Sequence, residues 1–167
     1  MIVMGIDPGT AITGYGVVEK IGDRVRYIAC GVIRTTPDFS APDRLKLLYE
    51  EFNVLLERYQ PIEVATERLF FTSNTTTAIP VGRALGVILL SIAQRNLPWT
   101  EYTPTQVKNS VVGTGRADKQ QVQFMVTRLL GLPKPPTPDD AADALAIAIC
   151  HAHSLRPAPP VRRAVRG

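Results

Sequence analysis

Apolar residues crowd Met1 to Asp7 and stop at Asp7-Pro8-Gly9, which predicts a strand followed by a turn. Thr13 to Glu19 and Val25 to Arg34 read as two more strands joined by the Gly22-Asp23 turn, so the chain opens as an antiparallel meander. Ser40-Ala41-Pro42-Asp43 resembles a capping box. Beyond it Leu45, Leu48, Phe52, Leu55, Leu56 and Tyr59 recur at helical spacing until Pro61 ends the run. Ile62 to Thr66 predicts a short strand ending at Glu67. A polar loop, Thr72 to Thr77, then leads into a helix from about Ala78 to Arg95 that is apolar on nearly every side.

Trp99 to Tyr102 predicts a fifth strand. Thr103-Pro104-Thr105-Gln106 opens a short helix with a box and a proline, and Gly113-Thr114-Gly115 closes it. A helix follows from about Asp118 to Leu130 with Gly131 as its C-cap. The last runs from Pro138 to about His153, with Thr137 as N-cap, and the Pro/Arg-rich residues 156–167 read as a disordered tail. Strands that first form a meander and then alternate with helices predict an α/β fold in one domain, 1–155, with a mixed five-stranded sheet flanked by helices. A helical crossover from the first strand to the fourth makes them parallel neighbours, so Asp7 and Glu67 should emerge at one sheet end.

That end is where open α/β sheets collect ligands, and the two acids make it a candidate site. Each acid also has a plain structural explanation: Asp7 as a turn residue, Glu67 as the partner of Arg68. Asp140 and Asp143 are three apart and share a helix face. Acids in a first helical turn offset the macrodipole, which accounts for Asp139 and Asp140 but less well for Asp143, ahead of Ala144-Leu145-Ala146-Ile147. An acid on so apolar a helix points to a buried cation. Carboxylates without suitable Cys or His partners favour a hard ion such as Mg²⁺ or Mn²⁺, and two such ions suit hydrolysis of a phosphodiester. His151 and His153 are expected to meet the last carbonyls of their helix instead.

Composition adds less. Removing the four arginines of the tail from 19 Lys and Arg leaves 15, equal to the 15 Asp and Glu, so the body is formally neutral. The local signal is stronger. Lys108, Arg116, Lys119, Arg128 and Lys134 face only Asp118 between Pro104 and Lys134, an electropositive segment suited to phosphate. Cys30 and Cys150 suggest neither a disulfide framework nor a zinc site. No signal peptide is expected, and Leu85 to Ala93 is far below the ~20 residues of a membrane span, so a cytoplasmic protein is expected.

Four segments taken together, GIDPGTAITGYGVVE, ATERLFF, QVKNSVVGTGRADKQQVQ and DDAADALAIAICHAH, resemble the RuvC Holliday-junction resolvases of bacteria from about Met1 to His153. The resemblance implies a ribonuclease-H-like fold, a homodimer, and two Mg²⁺ ions per active site with Mn²⁺ as a substitute. It also implies paired nicks in four-way junction DNA, and RuvA and RuvB branch-migration proteins as partners. By motif position the metal-binding, catalytic acids are Asp7, Glu67, Asp140 and Asp143. Some members carry histidine where this chain has Asp140, and Asp139 beside it leaves two candidates for that ligand. Lys108 and Lys119 match the lysines beside the DNA, and Arg116 lies in the same basic segment. Phe70 matches the aromatic after the catalytic Glu. With Phe71 it would by default be core, but at the edge of Thr72-Ser73-Asn74 an aromatic can stack on an unpaired base.

Two other classes compete. Asp7-Pro8-Gly9-Thr10 also resembles the first phosphate motif of actin-like ATPases and sugar kinases, which require a second, related domain. A non-catalytic junction binder would keep the basic segment but have no reason to bury four acids. The surplus apolar surface of Ala78 to Arg95, with Gly82 and Gly86 four apart, is expected to meet a second copy, with Leu89 as a probe of that contact.

Overall fold

The computed structural model describes residues 1–69 and 75–155. Strands β1 (Ile2–Asp7), β2 (Ile12–Ile21) and β3 (Arg24–Arg34) form the meander, followed by α1 (Ala41–Tyr59), β4 (Glu63–Glu67), α2 (Thr75–Gln94) and β5 (Trp99–Tyr102). Three helices complete it: α3 (Pro104–Val112), α4 (Lys119–Leu129) and α5 (Asp139–Ser154). The sheet order is β3-β2-β1-β4-β5, with β1 antiparallel to β2 and parallel to β4. Ile6 pairs with Thr66, so the next residues, Asp7 and Glu67, end their strands side by side as the crossover argument requires.

Helix boundaries follow their caps. At α1, Ser40 Oγ accepts from the Asp43 N–H at 3.3 Å and donates to the Asp43 carboxylate at 2.5 Å, so only one arm of the expected box forms. Aspartate is one carbon shorter than the glutamate of a full box. Both arms form at α3 and at α4, from Thr103 with Gln106 and from Asp118 with Gln121. Gly131, at φ 62°, closes α4 with N–H bonds from Gly131 to Arg128 O and from Leu132 to Thr127 O.

Two boundaries differ from the sequence reading. Helix α2 starts at Thr75 rather than Ala78, because threonine is only mildly unfavourable in a helix although a polar Thr run reads as loop. Helix α5 has Pro138, not Thr137, at the N-cap and no side-chain cap bond; Asp139 and Asp140 in its first turn offset the helix dipole instead. The expectations for Phe70, Phe71 and the tail 156–167 lie outside the described residues.

The sheet is buried on both faces. Met4, Ile6, Val17 and Val64 pack with Phe52, Leu56, Ile88 and Ile92 of α1 and α2. On the other face Val3, Val18 and Ala65 meet Leu145, Ile149, Val111 and Val126 of α5, α3 and α4. No helix among the described residues is long and apolar enough to cross a membrane.

Contact between α5 and the sheet is unusually direct. A Cβ on Gly5 would lie 2.3 Å from Ala144 O, one on Gly14 2.1 Å from Asp140 O, and one on Gly16 2.5 Å from Leu145 N. Three glycines on adjacent strands thus let the helix backbone rest on the strand backbone. Ala141, Ala144 and Ala148, all fully buried, keep the helix side equally thin.

Candidate metal and nucleic-acid site

The glycine cradle sets the site. It seats the first turns of α5 against β1 and β2 and brings Asp140 and Asp143 to the carboxyl edge, where Asp7 and Glu67 emerge on the α5 face. Asp7 responds strongly: its carboxyl is pushed up from 3.8 to about 7, first by burial and then by the charges of Asp143, Glu67 and Asp140, while Lys119 pulls it down. Burial and Asp143 also raise Glu67, with Lys108 opposing. Asp143 is raised by burial against the lowering effect of Lys119. Half-buried acids that shift one another in this way form one electrostatic unit.

Asp139 is tied to this group only through Asp143, which its charge raises, and not through Asp7 or Glu67. Its exposed carboxylate is held by Lys119 Nζ at 3.3 Å and by the Gln123 side-chain amide at 2.9 Å, and these contacts lower it. Asp140, not Asp139, is among the charges acting on Asp7. Lys119 also reaches Asp143 at 3.1 Å, and the acids raise its own pKa despite partial burial. The alternative role for Glu67 is absent, since Arg68 donates from Nε to Glu101 at 3.0 Å.

Next to the acids lies an open cleft of about 200 Å³, lined by Glu67 and Asp143 together with Lys108, Lys119, Pro104 and Val107. Both sequence-selected lysines therefore stand at the acids. Arg116 does not line the cleft; it is exposed on the loop between α3 and α4. Among the described residues no three acids, histidines or cysteines converge as a closed metal cage. The donor set fits a hard divalent cation: the half-buried carboxylates of Asp7, Glu67 and Asp143, whose ionisation is opposed by burial and like charge, gain most from one.

The histidines behave otherwise than expected. His151 is fully buried; its Nδ1 shares a hydrogen bond with Tyr102 Oη at 2.9 Å, and its Nε2 lies 3.1 Å from Glu63 Oε2 without hydrogen-bond alignment. Burial holds this imidazole below its usual pKa, against the pull of Glu63. His153 Nδ1 meets Ser110 Oγ at 3.1 Å. The last carbonyls of α5 go instead to Lys20, whose ammonium donates to Ala152 O at 2.7 Å and Leu155 O at 2.5 Å. Sequence reasoning missed Lys20, Gln123 and the cradle. A signal existed for Gln123, four residues after Lys119 on one face of α4.

Residues 3–151 match the family model of the crossover junction endodeoxyribonuclease RuvC. The chain belongs to the RuvC family. The RuvC of Pelotomaculum thermopropionicum is 55% identical over 153 residues, covering 92% of this chain and 93% of that one. RuvC of Desulfitobacterium hafniense is 57% identical over 155 residues, covering 93% and 94%. A solved structure of Thermus thermophilus RuvC in complex with a Holliday junction substrate superimposes with a TM-score of 0.86 at 39% identity, over 92% of this chain and 93% of that one. The ribonuclease-H-like α/β expectation agrees with this likeness and with the sheet order of this RuvC-family chain.

Proposed function

We propose that this chain resolves Holliday junctions as a metal-dependent endonuclease, with Asp7, Glu67, Asp140 and Asp143 as its metal-binding, catalytic acids. The observation that carries the reading is the raised pKa of Asp7, produced by burial and by the other three acids at the edge of the sheet. Two Mg²⁺ ions, or Mn²⁺ in their place, suit four carboxylates with no soft ligand. When bound, such ions acidify a water and offset charge on both the attacking and leaving oxygens of a phosphodiester.

The chain's own residues prepare that chemistry. Glu67 and Asp7 are fixed by adjacent parallel strands, and Asp140 and Asp143 by a helix seated on glycines, so the four acids sit on rigid elements. Lys119 offsets Asp143 and Asp139 in the free chain, and with Lys108 it flanks the cleft where an incoming phosphate needs positive charge. Arg116, exposed nearby, serves the DNA backbone further from the cut. Phe70, with Phe71, serves the unpaired crossover bases by stacking.

A homodimer places two such sites on symmetry-related strands of a four-way junction, which gives paired nicks in recombination and repair. The outward face of α2 supports it. Ile79 and Leu90 are 58% and 52% exposed, and a Cβ on Gly82 or Gly86 would meet nothing within 4 Å, so packing inside one chain does not require glycine there. By family resemblance the RuvA and RuvB branch-migration proteins deliver the junction, and the protein works in the cytoplasm beside its DNA. The test is cleavage of four-way and linear duplex DNA with and without divalent metal. Paired symmetric nicks in the junction alone, dependent on Mg²⁺ or Mn²⁺, are expected. Equal cutting of linear DNA, or cutting in EDTA, overturns the proposal.

A further inference from the structure

Lys119 is shared by two carboxylates of one helix. Its Nζ lies 3.1 Å from Asp143 Oδ2 and 3.3 Å from Asp139 Oδ2. The two acids stand four residues apart on α5, so they share a helix face, one at the first residue and one a turn deeper. Their surroundings differ. The Asp143 side chain is 34% exposed and lines the acid cleft, whereas that of Asp139 is 61% exposed and lies outside the lining. The ammonium therefore bridges the inside of the cleft and its rim.

Both ends of the bridge are fixed. Lys119 is the first residue of α4, whose capping box between Asp118 and Gln121 is complete on both arms. Gln123, one turn further on, donates from Nε2 to Asp139 Oδ1 at 2.9 Å, which leaves the other oxygen of Asp139 turned to Lys119. Lys108, across the cleft, makes no ion pair among the described residues.

Asp143 thus has two claimants. It belongs to the acids that fit a hard divalent cation, and it is also the acid on which Lys119 rests. An ammonium and a divalent cation on one carboxylate repel each other, so each weakens the hold of the other. Asp139 offers the ammonium a second carboxylate already within reach of the same side chain. Being exposed, that pair holds loosely, and an ammonium has three N–H donors to distribute.

We infer that Asp139, oriented by Gln123, is a positioning residue that keeps Lys119 at the cleft once Asp143 is taken up by a divalent cation, and leaves its ammonium available to a phosphate. Lys119 is then a phosphate contact only after release from Asp143. The inference rests on the metal-binding reading above.

Mn²⁺ binding to the DNA-free chain at pH 8, followed by the electron paramagnetic resonance of the unbound ion, gives the first test. Lys119→Met should tighten Mn²⁺ about tenfold, as expected when a competing charge-assisted contact is removed. Asp139→Asn should weaken Mn²⁺ about threefold in the wild-type background, because Lys119 then has only Asp143 to rest on. In the Lys119→Met background the same change should have no effect. A through-space influence of the Asp139 charge would act alike in both backgrounds.

The second readout is binding of a fluorescent four-way junction against KCl concentration in EDTA. Lys119→Met should leave the salt slope at the wild-type value, but in an Asp143→Asn background, where the lysine is released, it should lower the slope by about 0.9, the value of one phosphate contact. Lys108→Ala, the reference contact, should lower it in both backgrounds. Mn²⁺ affinity unmoved by Lys119→Met, or weakened equally by Asp139→Asn in both backgrounds, overturns the inference and leaves the metal site standing. A full loss of slope for Lys119→Met with Asp143 intact also overturns it. Wild-type protein that binds no Mn²⁺ overturns the metal-binding reading itself.

Discussion

Asp7→Asn should stabilise the metal-free protein at pH 8 while abolishing cleavage. In the folded chain Asp7 keeps its proton up to about pH 7, against 3.8 as its ordinary value. Between those pH values the folded state binds more protons than the unfolded one. Stability from this group is therefore fully present below 3.8, falls as pH rises, and is gone above about 7. At 1.36 kcal/mol per pH unit, the loss amounts to about 4 kcal/mol at most. The asparagine variant has no proton to lose at this position and should escape that loss.

Urea unfolding of both proteins in EDTA at pH 5 and pH 8 reads the effect. Other titrations complicate each curve alone: Glu67 and Asp143 act in the same direction as Asp7, while His151 and His153, whose pKa values are lowered, add stability as pH rises. The difference between wild type and variant largely cancels them. The stability advantage of Asp7→Asn should grow by roughly 2–3 kcal/mol from pH 5 to pH 8, and Mg²⁺ at pH 8 should stabilise wild type far more than the variant. An advantage that does not change with pH refutes the argument that the four acids act as one electrostatic unit.

Gly14→Ala should cost at least about 3 kcal/mol and most of the cleavage activity, because its Cβ would lie 2.1 Å from Asp140 O and force α5 away; thermal unfolding and single-turnover cleavage check it. Asp143→Asn should lower cleavage by more than about 100-fold, ~2.7 kcal/mol in transition-state stabilisation, whereas Asp139→Asn, whose carboxylate is exposed and engaged by Lys119 and Gln123, should stay within a few-fold. Leu90→Glu should give folded monomers by sedimentation and uncoupled single nicks. Leu89→Glu, the probe that the sequence alone suggests, is the poorer one, because Leu89 packs against the core and its replacement should lower the melting temperature.

Much of this molecule is legible along the chain because its determinants are local. Alternating or continuous apolar runs ended by Asp-Pro-Gly, boxes such as Thr103 with Gln106, and Gly113 and Gly131 at positive φ all act over a few residues. Their signals survive in sequence. The parallel pairing of β1 with β4, and so the meeting of Asp7 with Glu67, follows from connectivity alone. Four motif segments suffice to indicate the family.

What only the tertiary structure decided concerns groups far apart in sequence and elements without a periodic phase. Helix α5 is apolar nearly all round, so no pattern says which side meets the sheet. That choice is made by backbone contact with Gly5, Gly14 and Gly16, more than 120 residues earlier, and it is what turns Asp140 toward Asp7 and leaves Asp139 to Lys119 and Gln123. The same limit applies to α2, where Leu89 and Leu90 are equivalent as letters and differ only in what surrounds them. Lys20 on the carbonyls of α5, and His151 between Tyr102 and Glu63, likewise depend on surfaces that exist only once the sheet and helix have closed on each other. Local chemistry determines which elements form, and close packing between distant backbones determines which of their side chains share a site.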